Sequence, residues 1–161
     1  MKLLKYEEYS TKTDSIFNQL KLELLKILPT DRVEHVGSSS IPGSLSKGDL
    51  DVFVGVNKDQ HVESIELIKS IGFIEKKDTF RSDELCMLIT DQFNYDVAIQ
   101  VVINGSEFED FIKFRNILRK NHNLVESYNE IKLNAKNLSE DEYRAKKSKF
   151  INNVLSGRVS H

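Results

Sequence analysis

The stretch Asp49-Leu50-Asp51-Val52-Phe53-Val54-Gly55-Val56 constrains the fold more than any other part of the chain. Its β-branched content, bounded by Gly48 and Asn57, predicts a strand over 49–56. Alternation then points Asp49, Asp51 and Phe53 one way and Leu50, Val52 and Val54 the other. Two like charges at the start of a buried strand repel and are poorly solvated, so something cationic is expected to join them. Their Cα atoms stand roughly 6–7 Å apart, which lets both reach one divalent ion or grip two. Mg²⁺ suits such a site, with Mn²⁺ as its stand-in, because it takes oxygen ligands and keeps waters and substrate phosphates. A pair of such ions activates an attacking hydroxyl and stabilises a leaving phosphate.

The segment before the strand supplies the complement. Gly37 reaches backbone angles that other residues avoid. Ser38, Ser39 and Ser40 bring hydroxyls and backbone N–H donors, which hold phosphate oxygens well at a turn. Pro42-Gly43 reads as a turn shaping this loop. Lys47 either neutralises phosphate or solvates the loop edge, and His35 is expected to hydrogen-bond within the loop rather than act in catalysis.

The rest of the chain frames this stretch. At 161 residues it is expected to form one domain over 1–161. A net charge of −2 gives no global field for nucleic acid, and no run of apolar residues is long enough to cross a membrane. The one cysteine, Cys86, lies in "LCMLI" and reads as a buried hydrophobe, consistent with a cytoplasmic protein. His35, His61, His122 and His161 lack metal-site spacing. Ile16, Leu20, Leu24, Ile27 and Leu28 form a helical stripe over 11–28, ended by Pro29. Strands are expected over 32–38, 84–90 and 95–103, the last two antiparallel because their connection is short. A helix over 61–73 turns Val62, Ile65, Leu67 and Ile68 inward. Helices follow over 106–121, 124–138 and 139–155, the last opened by a capping box of Ser139 and Glu142. Arg115 and Arg119, four apart on one helical face, are either solvated or part of a nucleotide-binding patch. Tyr128 and Tyr143 read as core. Together these predict an α+β fold, a small mixed β-sheet flanked by helices.

Gly37-Ser38, ten residues, and then Asp49-Leu50-Asp51-Val52 resemble the signature of the nucleotidyltransferase (polymerase β-like) superfamily. More narrowly, "VEHVGSSSIPGSLSKGDLD", "FRNILRKNHNLVESYNEIKLNA" and "EYRAKKSKFI" resemble segments of the GrpB (UPF0157) family. Many of its members have one aspartate where this chain has Asp49 and Asp51, and an H-x-H pair where it reads Ala98-Ile99-Gln100. The resemblance implies a nucleotidyltransferase-like sheet. It also implies transfer of a nucleoside monophosphate from a nucleoside triphosphate to an unknown acceptor, with Mg²⁺ or Mn²⁺. Asp96, on a neighbouring strand, becomes the third carboxylate beside Asp49 and Asp51, ahead of Asp91 in the turn. Gly37, Ser38, Ser39, Lys47, Arg115 and Arg119 become nucleotide-binding residues, with Lys132, Lys146 and Lys147 placed near the site. The alternative is a non-catalytic nucleotide-binding or regulatory module of the same fold.

Overall fold

Alternating apolar residues in the middle of the chain build a five-stranded sheet in the computed structural model, which describes residues 2–157. The strands are β1 (Val33–Val36), β2 (Leu50–Val56), β3 (Ile74–Glu75), β4 (Leu85–Thr90) and β5 (Val97–Ile103), ordered β1-β2-β5-β4-β3. β2 and β5 run parallel, and the other three pairings are antiparallel, including the expected β4–β5 pair. The sheet is therefore mixed. The two-residue β3 carries too little pattern to be read from sequence.

The helices are α1 (Tyr6–Ile27), α2 (His61–Ser70), α3 (Asp110–Arg119), α4 (His122–Leu133) and α5 (Glu140–Leu155). α1 begins five residues before the expected start, with Glu7 and Glu8 in its first turn and the buried Tyr9 and Thr13 extending its inner stripe. α2 corrects the expected phase. His61, Ser64, Ile65 and Ile68 face inward, while Val62 is 74% exposed. His61 is tied down by a hydrogen bond between its Nε2 and the Val101 carbonyl at 2.9 Å. α3 is shorter than expected because Glu107–Glu109 form a tighter 3₁₀ turn. Ser139 caps α5 as expected: its Oγ accepts the Glu142 N–H at 3.1 Å and Glu142 Oε1 accepts the Ser139 N–H at 3.0 Å. His161 lies outside the described residues, and no described helix is long and apolar enough to cross a membrane.

The two faces of the sheet differ. One carries Val33, Leu50, Val52, Val54, Ile99 and Val101, sealed by Leu20 and Leu24 of α1 and Ile65 and Ile68 of α2. Cys86 is buried in this layer, as expected. The other face carries Asp51, Phe53, Ala98, Gln100 and Val102 by register. Its far end is covered, where Val36, Phe53, Leu85 and Val102 pack with Phe108 and Ile112. α3, α4 and α5 form a separate cluster around Leu118, Leu124, Val125, Tyr128 and Phe150. Ile41, from the serine loop, is buried in that cluster, which anchors the loop to the helices.

Candidate functional site

Between the open end of the sheet and the C-terminal helices lies a cavity of about 600 Å³. Its polar end is formed by Gly37, Ser38, Lys47, Asp49, Asp51, Lys132 and Lys147, and its apolar wall by Phe80, Phe108, Phe111 and Phe114. A second cavity of about 620 Å³ opens along the β4–β5 side, lined by Asp96, Ala98, Thr90, Met87 and Lys76 among others. The two cavities share three residues: Lys47, Asp49 and Asp51.

Asp49 stands just before β2 and Asp51 is its second residue. Asp51 is pushed up to about 7, first by burial and then by the Asp49 charge, with Lys147 and Lys47 opposing. Lys47 Nζ lies 3.9 Å from Asp49 Oδ2, a loose and largely solvated contact. The carboxylate pair is thus short of positive charge. Gly37 has φ +75, and a Cβ there would lie 3.0 Å from the Cβ of Asp51 and closer still to its carboxylate. Only glycine lets the loop pass this close to the acid. A buried carboxyl beside a second acid, backed by a glycine cradle and open to two cavities, fits a divalent cation. Asp96 lines the second cavity and not the first, and its carbonyl accepts the Leu50 N–H at 2.9 Å. Among the described residues no three His, Cys, Asp or Glu side chains are gathered closely enough to hold a metal on their own.

The loop is a short 3₁₀ turn, Ser38–Ser40, opened by Gly37. Ser40 N–H bonds the Gly37 carbonyl and Ile41 N–H the Ser38 carbonyl, so the Ser38 and Ser39 amides precede any bond within the turn. The loop is held from α1 and α4. Tyr9 O–H donates to the Ser44 carbonyl at 2.6 Å from α1. From α4, Asn129 donates to the Gly43 carbonyl at 3.0 Å and accepts the Leu45 N–H at 2.8 Å. Lys132 Nζ donates to Ser38 Oγ at 2.7 Å, Ser44 Oγ at 3.0 Å and the Leu45 carbonyl at 2.6 Å, and sits 4.0 Å from the Tyr128 ring centre. Burial, with Lys147 adding repulsion, lowers the Lys132 ammonium to about 7.

Arg115 and Arg119 line neither cavity. Arg115 is buried, donating to the His35 carbonyl at 3.0 Å and paired with Glu34 at 2.8 Å. Arg119 Nε donates to the Ser40 carbonyl at 2.9 Å. Arg119 thus braces the loop from behind and Arg115 the strand that leads into it, so the structure does not bring them to the proposed phosphate end. Ser39 is likewise turned inward, sharing a 2.9 Å hydrogen bond with His35 Nε2. His35, in β1, is stacked on Phe17 and lowered to about 4 by burial and the two arginines, which leaves it neutral and hydrogen-bonded to the loop as expected. Lys146 is exposed and lines neither cavity, whereas Lys147 lines the first. Tyr128 is both core and cavity wall, and Tyr143 lines the cavity only half-buried. Composition missed Gln100 and the phenylalanine wall. The pattern around Lys132 held a signal: a lysine four residues after Tyr128, in the buried stripe of α4.

A mixed sheet with a Gly-Ser turn leading into an acid-x-acid strand defines a nucleotidyltransferase-like fold. The same fold recurs in the Cid1 poly(U) polymerase bound to MgGTP, with a TM-score of 0.55 and 16% identity over 80% of this chain and 42% of that one. Within this class the chain belongs to the GrpB family: the model described as GrpB protein matches residues 4–157. A UPF0157 protein of Vibrio cholerae serotype O1 is 48% identical over 155 residues, covering 96% of this chain and 82% of the relative. The crystal structure of the conserved protein GrpB from Enterococcus faecalis matches with a TM-score of 0.74 and 23% identity, over 98% of this chain and 99% of that one.

Proposed function

We propose that this GrpB protein transfers a nucleoside monophosphate from a nucleoside triphosphate to an acceptor hydroxyl in a Mg²⁺-dependent reaction. The observation that carries this reading is the position of Asp49 and Asp51 where two cavities meet, with the Gly37-Ser38 turn and two lysines on one side only. The first cavity suits the donor. Ser38 and Lys147 face its phosphates, and Lys132 acts through Ser38. The second suits the acceptor, with Asp96 on its wall. A divalent cation held by Asp49 and Asp51 neutralises the pair and polarises the reacting phosphate when bound. The acceptor oxygen bonds to the α-phosphorus, the bond from that phosphorus to the bridging oxygen breaks, and pyrophosphate leaves with the electron pair. Asp96 takes the hydroxyl proton.

The direct test follows label from an α-labelled nucleoside triphosphate, across a panel of hydroxyl compounds, into product with release of pyrophosphate. Asp96→Asn should lower turnover by about 10²–10⁴-fold while leaving nucleotide affinity nearly intact, because a base acts on the chemical step. One observation favours the second reading, a nucleotide-binding module without turnover: Asp96 opens on a different cavity from Ser38 and Lys132. Tight nucleotide binding with no label transfer to any acceptor supports that module instead.

A further inference from the structure

One polar side chain in the first cavity has no role in the account so far. Gln100 on β5 is only 7% exposed, yet its amide makes no hydrogen bond among the described residues. It is not sealed in the core either. Among the described residues, the unpartnered side-chain atoms sealed from solvent are the hydroxyls of Ser64 and Ser106, so the Gln100 amide borders the cavity. A carboxamide free of protein partners and bordering the cavity has its donor and acceptor available to a ligand's hydrogen bonds.

Register says which part of a ligand it meets. Along β5, Ala98 pairs with Asp51, Gln100 with Phe53, and Val102 lies one step further, in the cluster under Phe108. Same-face residues of a strand are roughly 6–7 Å apart. The face therefore reads carboxylate, carboxamide and aromatic wall in that order. A nucleotide reads phosphate, sugar and base in the same order. Stacking surfaces suit the base at the phenylalanine end, and the carboxylates and Ser38 suit the phosphates. The middle position falls to the sugar, whose hydroxyls both donate and accept, as a carboxamide requires.

We propose that Gln100 binds the sugar hydroxyls of the nucleotide and makes the cavity selective for ribonucleotides over deoxyribonucleotides. This rests on the reading of the first cavity as the donor site. It needs no turnover, since the selection is made on binding.

The experiment is calorimetry with Mg²⁺ and ATP, 2′-deoxy-ATP or 3′-deoxy-ATP, on the parent protein and on Gln100→Met, with GTP and UTP as base controls. The parent is expected to bind ATP roughly 3- to 10-fold more tightly than at least one deoxy analogue, the worth of one hydrogen bond. In Gln100→Met that ratio should fall to about one, with affinity for the matching deoxy analogue unchanged. Equal binding of all three by the folded parent overturns the proposal and leaves the donor-site reading standing. So does a preference that survives Gln100→Met. A base preference that disappears in Gln100→Met overturns it too, by moving the amide to the base. No nucleotide binding at all overturns the donor-site reading itself. Should Gln100→Met fail to fold, the parent's own ratio still decides.

Discussion

At the scale of single residues, Gly37 and Asp51 act as one unit. Gly37→Ala meets both a positive φ and the Asp51 side chain, so it is expected to cost about 1–3 kcal/mol in urea unfolding. Gly105→Ala is the control: its φ is +85, but nothing lies within 4 Å of an added Cβ, so only the backbone term of about 1 kcal/mol applies. If the two variants lose the same stability, the close approach of loop to acid is wrong. Asp51 also ties stability to pH. Its native pKa of about 7 lies above the ordinary 3.8, so the native state holds a proton that the unfolded chain releases. Stability from this group is full below about pH 4 and is lost as pH rises through 7. Asp51→Asn should therefore stabilise the metal-free protein by up to about 4 kcal/mol near pH 8 and hardly at all near pH 3. A gain of equal size at both ends would remove the burial argument.

At the scale of elements, α4 keeps the loop in place, and the sequence shows half of the reason. The stripe of Leu124, Val125 and Tyr128 marks the buried face of α4, and Lys132 falls on it. That Lys132 Nζ meets three acceptors in the segment 38–45 depends on how α4 crosses the loop, which no spacing encodes. Arg115 and Arg119 mislead for the same reason. Two arginines four apart look like a ligand patch on an isolated helix, but packing turns them against Glu34, His35 and Ser40. Lys132→Ala should cost about 2 kcal/mol, because Ser38, Ser44 and Leu45 each lose a donor, and should speed hydrogen exchange across residues 38–46. Ser139→Ala removes only the cap of α5. It is expected to cost about 1 kcal/mol in thermal or urea unfolding without changing exchange in the loop. Similar loop exchange in both variants would deny Lys132 its holding role.

At the scale of the whole molecule, the acid-x-acid strand, the serine turn, the mixed sheet and the long helices are legible, because each follows from a local period or a short motif. Less legible is what meets across the sheet. The order β1-β2-β5-β4-β3 sets Ala98 beside Asp51 and Gln100 beside Phe53, and pairing of distant strands leaves no mark on either segment alone. The same holds for the two cavities and for the separation of Asp96 from Ser38, which depend on where α3 to α5 come to rest. What the assembled molecule adds is one meeting point, Lys47, Asp49 and Asp51, between the cavity with Lys132, Lys147 and the phenylalanine wall and the one lined by Asp96. Calorimetry of Mg²⁺ with a nucleoside triphosphate should show metal-dependent binding to the parent. The Asp49→Asn/Asp51→Asn variant, folded by circular dichroism, should bind at least about tenfold more weakly, the loss of one charged contact or more. Equal binding by the two proteins, or parent binding indifferent to metal, would contradict the account.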